Sequence, residues 1–379
     1  MQNRSKYFLI AILVLFLGFM AWFLKTIVVY LVVSILLSLL GQPLVKIYSR
    51  IRIKQHRLSI TISSVLALFT LMAVVVGLFS LFIPLVIEEA RIVSNINSQD
   101  VVLAFDQPLH QLENMLERFQ LSAAGNEPIE KVMASKLTSI LGFQEISFYA
   151  TRILGFMGSI VAAFFSISFM TFFFMKDDRL IHNMVLMLTP PKHVQAVSDI
   201  MKDSKLILTR YFLGIFLDMV FVATLTAIGL SIFGVKNAML IGLFAGILNV
   251  IPYIGPLLGC GFALLIGVSS NLQLDFYQQL MPLAGKIGLT FMCVQLVDAL
   301  FFQPLVISNT VKAHPLEIFL VILTAGTIGG ITGMVVAIPV YTIIRIIAKE
   351  FFNNFKIVQH LTADLEEITE KQNKKEKNN

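Results

Sequence analysis

The chain has 379 residues, of which 57% are hydrophobic and only 14% charged, and it carries a net charge of +6. Soluble globular domains sit near half apolar and a quarter charged, so that class is excluded, and a polytopic all-α membrane protein is expected instead. Cys260 and Cys293 lie in separate apolar runs. They form neither a disulfide framework nor a metal site and read as small buried hydrophobes.

In chain order, residues 7–24 and 27–45 are the first two apolar segments, with Lys25 and Thr26 as a short turn between them. Each is long enough to cross a hydrocarbon core of about 30 Å at a rise of about 1.5 Å per residue. Arg4 and Lys6 precede the first segment, which is too long for a signal-peptide core and lacks a cleavage site, so it reads as an uncleaved anchor. Further segments run over 58–83, 147–175, 206–233, 238–268, 287–308 and 316–347, which makes eight. The expected organisation is N-terminal spans over 1–83, an extracytoplasmic helical region over 84–146, a membrane transport core over 147–350 and a polar tail over 351–379.

Orientation follows from the placement of Lys and Arg. The loop 46–57 holds Lys46, Arg50, Arg52, Lys54 and Arg57 without an acid, and 176–205 carries Lys176, Arg179, Lys192, Lys202 and Lys205. Both are expected on the cytoplasmic side. Region 84–146 has nine acids against four Lys or Arg and is expected outside. Cytoplasmic termini require an even number of crossings. Eight spans satisfy this, and so do six spans with two re-entrant hairpins. Within 190–207, a Pro pair and the helical spacing of Val194, Val197, Ile200 and Met201 predict an amphipathic cytoplasmic helix. It is either a coupling element or an anchor for the next span. The lysines of the tail read as a solvated face, and nucleic acid is not an expected partner.

Residues 248–259 read LNVIPYIGPLLG, an interruption in one of the most apolar parts of the chain. Pro252 and Pro256 lack N–H donors, and Gly255 allows the backbone to leave the helical region. Freed backbone groups are tolerated at membrane depth only where protein or a water-filled cavity meets them. The expectation is a helix break over 249–256 with a half-helix from 257. Asn249, Pro252, Tyr253, Gly255 and Pro256 would line a substrate or ion pathway. A plain Pro kink used for packing is the other reading. A second interruption, AGTIGGITGMVVAIPVY at 325–341, places Gly329, Gly330, Gly333 and Pro339 in the same role. The spacings Gly242-x-x-x-Gly246, Gly326-x-x-x-Gly330 and Gly329-x-x-x-Gly333 also suit close helix packing.

Three blocks carry a resemblance: 210–259 (RYFLGIFLDMVFVATLTAIGLSIFGVKNAMLIGLFAGILNVIPYIGPLLG), 297–318 (VDALFFQPLVISNTVKAHPLEI) and 329–341 (GGITGMVVAIPVY). In order and spacing the chain resembles the autoinducer-2 exporter family, also known as PerM-like permeases. The resemblance implies a bacterial inner-membrane permease or exporter. It also implies a homo-oligomer, with a pentamer as the candidate count, and a small-molecule or ion substrate. Signal-molecule export and sodium/proton antiport both occur within the family. Ile215 stands where a Gln is usual and Ala299 where an Asn is common, which removes polarity from two positions that could meet substrate.

Charges inside the spans complete the reading. An ionised Asp at a helix centre costs about 2.5–3.5 kcal/mol on the insertion scale, so such a residue is a functional candidate by default. Asp218 lies within 206–233 and Asp298 within 287–308, with Gln303 five positions later. For Asp218, a coupling role and a structural pairing with Arg210 or Arg152 both stay open. Asp298, inside a block of the resemblance, reads as functional. His314 and Glu317 flank Pro315 at a span boundary, either as a proton relay or as an interfacial cap. No H-E-x-x-H, G-x-S-x-G or P-loop pattern occurs, so no catalytic residue, metal or cofactor is expected. The expected function is secondary transport across the bilayer, with a non-transporting envelope organiser as the alternative.

Overall fold

The computed structural model describes residues 23–53, 56–94, 111, 157–302 and 314–352. The first apolar segment up to residue 22, nearly all of the expected extracytoplasmic region beyond 94, Arg152, Gln303 and the tail after 352 lie outside the described residues. Within them the chain is helical apart from a two-residue antiparallel ladder. By length and composition, five helical stretches among the described residues could cross a bilayer: Thr26–Ser49, Ile60–Glu88, Pro191–Ile232, Phe276–Phe302 and Leu316–Phe352, the last of them folded back on itself at Gly330. The protein is a multi-pass, all-α membrane protein.

The described residues divide between two compact units, one within 1–76 and 156–201, the other within 77–155 and 202–379. In the first unit, α1 (Lys25–Ser49) is followed by β1 (Arg52–Ile53) and β2 (His56–Arg57), which pair Arg52 with Arg57 and Ile53 with His56. Lys25 and Thr26 belong to α1 rather than to a turn, and the chain's only departure there is at Leu24, which caps the helix. The helix α2 (Ile60–Ser94) starts in this unit and continues well past residue 83. At about 1.5 Å per residue it is some 52 Å long, far more than the hydrocarbon core needs.

The third helix, α3 (Met157–Lys176), runs parallel to α1. Ser34 donates to the Ile167 carbonyl at 3.2 Å, and Gln42 donates to Asp178 just beyond α3 at 2.8 Å. A Cβ at Gly41 would meet the Met175 sulfur, so a glycine there lets the helices approach. Small and hydroxyl residues supply the contact, as is usual where lipid cannot drive helices together. Both helices therefore present their basic ends, Lys46 and Lys176, on one side of the unit. A short helix α4 (Leu180–Leu188) and a 3₁₀ turn (Pro191–His193) lead into α5 (Val194–Ile232).

The amphipathic stretch 190–207 is not a separate helix. From Val194 on it is the first third of the 39-residue α5, because nothing between Val194 and Ile232 interrupts the backbone ladder, and its Pro pair belongs to the 3₁₀ turn ahead of that helix. About 58 Å of helix at 1.5 Å per residue again exceeds a span, so the polar end extends beyond the hydrocarbon.

In the second unit, α6 (Ala238–Leu248) and α7 (Ile254–Ser269) fold back on each other as a helical hairpin. Phe244 stacks on Phe262 at 3.8 Å, and a Cβ at Gly259 would lie 3.4 Å from the Ala245 Cα. The short connection 270–275 leads through a π-helical turn (Phe276–Leu280) into α8 (Met281–Val297), so most of the stretch between the apolar segments 238–268 and 287–308 is helical. A second π-helical turn (Asp298–Phe302) extends α8.

The last helix, α9 (Pro315–Phe352), is bent at Gly330, where φ is 60° and ψ is −146°. A Cβ at Gly333 would meet the Ala325 carbonyl, and one at Gly326 would meet the Met334 side chain. Residues eight apart stand about 12 Å apart along a straight helix. Contact between 325 and 333 means that the chain reverses at Gly330. Both Gly/Pro-interrupted segments thus form hairpins, the geometry that the six-span alternative requires.

The core of this unit is built around Val222, Leu230, Ile241, Ile266, Ile287 and Phe291, which α5, α6, α7 and α8 contribute. Gly242 and Gly246 make it possible. A Cβ at Gly242 would sit 2.6 Å from the Ala223 carbonyl, and one at Gly246 would meet that of Met219. Cys260 is partly buried against this core, whereas Cys293 is exposed on α8 and is not the buried hydrophobe the sequence suggests.

Candidate functional site: two carboxyl groups at the tip of a broken hairpin

The hairpin α6–α7 turns over residues 249–253. Backbone N–H groups there find partners within the turn. Val250 donates to Ile247, Ile251 to Leu248, Ile254 to Pro252 and Gly255 to Ile251, all at 2.8–3.3 Å. The half-helix begins at Ile254, not at 257, so Gly255 and Pro256 occupy its first turn, where a missing N–H costs nothing. Gly255 does not leave the helical region. Its role is close approach, since a Cβ there would collide with the Leu248 carbonyl.

The residue that leaves the helical region is Tyr253, with φ 67° and ψ −45°. With the 2.8 Å bond from Ile254 N–H to the Pro252 carbonyl, this is a γ-turn of the rare, strained kind. Strain of this sort costs about 1–3 kcal/mol and persists where the surroundings over-determine it. Tyr253 is partly exposed and meets Phe319 edge-on at 6.2 Å. Next to it Ile251 is buried with Tyr211 of α5 and with Ile318, Ile322, Ala337 and Ile338 of the second hairpin. The tip of one hairpin is therefore seated against the flank of the other.

Four of the amides at the turn, those of Val250, Ile251, Ile254 and Gly255, are taken up within it, and its polar side chain is that of Asn249. Asn249 caps the C-terminal end of α6, is buried, and donates from Nδ2 to Asp218 Oδ2 at 2.8 Å. The carboxyl group of Asp298 comes in from the π-helical turn beside the same carboxyl, close enough for the two to interact. Asp298 is 1% exposed, and Gln295 approaches its Oδ2 at 3.5 Å. One level further along, Phe221 and Phe302 stack at 3.8 Å. The π-helical turn aims both contacts. An extra residue in the turn rotates Asp298 and Phe302 together towards α5, and such bulges recur at functional sites.

The chemistry of the cluster follows from its inventory. Two ionised carboxylates have no proton to donate to each other, which leaves the buried Oδ1 of Asp218 without a donor. A shared proton or one cation between the two groups satisfies both. The Asn249 amide fixes one carboxylate through a donor and keeps its own carbonyl as a further oxygen. The set of Asp218, Asp298 and Asn249 can hold a proton or a small monovalent cation, not a large anion.

Of the remaining sequence-derived candidates, Gly329 and Gly330 lie at the exposed tip of the second hairpin with open space around them, and Gly333 packs inside it. Pro339 is buried in its second half. Gln303 lies outside the described residues. The partner of Asp218 is not Arg210 but Asn249, with Asp298 beside it. His314 serves as a cap, with its Nδ1 accepting from Leu316 N–H at 3.3 Å and its carbonyl from Glu317 N–H at 2.9 Å. Sequence reasoning misses Tyr211, Phe221 and Phe302, which only their long-range contacts reveal.

Residues 10–353 match the family described as AI-2E family transporter. The chain is 30% identical to "Putative transport protein YueF" of Bacillus subtilis (strain 168) over 227 residues, 60% of this chain and 57% of that protein. It is 27% identical to "Putative transport protein YrrI" of the same organism over 186 residues, 49% of this chain and 50% of that protein. The chain spans about half the length of the curated relatives it matches.

Proposed function

Because the chain belongs to the AI-2E transporter family, we propose that it is a secondary transporter whose cycle is coupled to protons or sodium through Asp218, Asn249 and Asp298. The observation that carries this reading is the meeting of two intramembrane carboxyl groups with the amide at the tip of a broken hairpin. Occupancy by a proton or a cation changes the net charge of a buried cluster by one unit. That change alters how firmly the hairpin tip is held to α5, since Asn249 is a direct link between them. Proton and cation compete for the same oxygens, which is the minimum requirement for exchange of one against the other.

The solute pathway is proposed to run beside the paired hairpins, with Tyr253 and the 249–256 turn at its constriction. Such a site is compatible with export of a small molecule and with sodium/proton antiport, which differ in whether an organic solute moves with the ion. The setting is the inner (plasma) membrane with both termini cytoplasmic, and the working unit is a homo-oligomer. Flux into proteoliposomes tests the proposal. With an imposed proton or sodium gradient, uptake of the counter-ion or release of a loaded solute should rise and collapse on adding an ionophore. Flux that ignores both gradients would overturn the coupled reading.

A further inference from the structure

The helix α4 has no buried residue. Met184, Met187 and Leu188 are 59%, 86% and 88% exposed. Spaced i, i+3 and i+4, they form one apolar stripe. The opposite side is held to the protein: His182 lies half-buried, 3.5 Å from Ser198 of α5. A stripe of this kind on a nine-residue helix needs a covering partner, and the chain shows what lies at this level.

Leu180 follows the last residue of α3, Lys176, after only three residues. The four Cα–Cα steps from Lys176 to Leu180 reach about 14 Å at most. The face of α3 next to this end is apolar and outward, with Phe165, Phe169 and Phe173 exposed. The headgroup layer on each side of the hydrocarbon is itself only about 5–7 Å thick. A helix tethered this closely to the end of a membrane helix starts in or beside that layer. Its charges match. Lys176 and Arg179 precede α4 and Lys192 follows it, all exposed; against them stand Asp177, whose Oδ1 accepts from the Arg179 N–H, and Asp178, which Gln42 engages, so that residues 176–192 keep a net charge of +1.

We propose that α4 is an interfacial anchor that binds an anionic lipid surface. Met184, Met187 and Leu188 insert among the outer acyl carbons, and Lys176, Arg179 and Lys192 lie against lipid phosphates. The partner is the leaflet that receives the C-terminal end of α3. Interfacial helices of this type combine an apolar face with flanking basic residues, and each nearby Lys or Arg adds attraction to an anionic surface. The sequence directs attention to 190–207 for such a helix, but that stretch is built into α5, and the interfacial role passes to the preceding element.

The test uses the full chain with Cys260 and Cys293 replaced by Ala and a single cysteine at Leu188, labelled with an environment-sensitive fluorophore. It is reconstituted into vesicles of phosphatidylcholine with or without a quarter of phosphatidylglycerol. The expected result is blue-shifted emission that doxyl groups on shallow lipid carbons quench at least twofold more than deep ones. Iodide in water should quench it weakly. Replacing Arg179 and Lys192 with Glu should reduce the shift in the anionic vesicles and leave it unchanged in the neutral ones. Emission like that in water, with iodide quenching and no lipid quenching, would overturn the proposal. So would a Leu188→Cys crosslink between copies in the absence of lipid quenching, since the stripe would then be covered by a second copy of the chain.

Discussion

Asn249 donates a 2.8 Å hydrogen bond to Asp218 across 31 positions of sequence, and this bond ties the tip of the α6–α7 hairpin to α5. It is partly buried, and one of its partners is an acid, so removing the donor leaves a carboxylate oxygen with less compensation. Such a loss costs about 1–3 kcal/mol, and more where the group is charged.

Asn249→Ala is therefore expected to lower thermal stability in detergent, and Asp218→Ala in the same background should cost far less than it does alone. A double-mutant cycle measured by thermal unfolding should give a coupling of about 0.5–3 kcal/mol. Additive effects of the two substitutions would show that the bond is not formed in solution.

Gly255 gives a second prediction. A methyl group there would collide with the Leu248 carbonyl, which is backbone and cannot move aside. Gly255→Ala should destabilise the hairpin by about 1–3 kcal/mol through overpacking. Gly261→Ala, in the same half-helix with nothing within 4 Å, should be neutral or slightly stabilising. Larger residues at 255 are thus expected to impair folding as well as transport. Equal thermal stability of the two alanine variants would contradict the packing assignment.

What the residues disclose and what they hide divides along physical lines. Apolar runs and Pro/Gly clusters are local, so the long helices and both interruptions are legible from composition alone. The two intramembrane aspartates stand out because charge in hydrocarbon is costly. The reversal at Gly330 is not legible, since a glycine with positive φ and one used for packing look alike in a sequence. Gly255 is misread for the same reason, its neighbour Tyr253 taking the unusual backbone conformation. The meeting of Asp218, Asn249 and Asp298 depends on a π-helical turn, which carries no compositional mark. The continuity of α5 is hidden by a change from polar to apolar surface that reads as a boundary and is only a change of surroundings.

Tyr253 supplies the third prediction. Its φ of 67° is strained for a residue with a Cβ, and glycine would relieve it. Tyr253→Gly should therefore keep or raise thermal stability, less whatever the ring contributes by packing edge-on against Phe319. Transport should fall if the ring lines the constriction. Full transport by a stable Tyr253→Gly variant would assign the strain to turn geometry alone and remove Tyr253 from the pathway.

Orientation can be checked independently of transport. Arg52 is exposed and lies in the β1–β2 ladder after α1, among the basic residues that point to the cytoplasm. In a background without Cys260 and Cys293, Arg52→Cys should resist an impermeant thiol reagent in intact cells and react fully after permeabilisation. A cysteine at Asn126, outside the described residues, should react in intact cells. The opposite pattern would reverse the orientation.

The last prediction concerns Asp298, whose buried carboxyl meets Asp218 from a π-helical turn. Asp298→Asn keeps the shape and supplies an N–H donor that the carboxylate lacks. The amide can then bond the Oδ1 of Asp218 permanently, as a shared proton would do only part of the time. The cluster loses one unit of charge and becomes locked in the state that mimics proton occupancy. A purified, well-assembled variant with thermal stability equal to or above that of the parent is expected. Its flux should fall about tenfold or more and cease to follow the imposed proton or sodium gradient. A merely structural Asp298 gives the reverse pattern, in which assembly or stability changes and the surviving protein keeps its gradient dependence. Both quantities are read on one preparation, thermal unfolding for the first and proteoliposome flux for the second. Retained gradient dependence in a well-assembled Asp298→Asn protein would exclude the carboxyl pair as the coupling site.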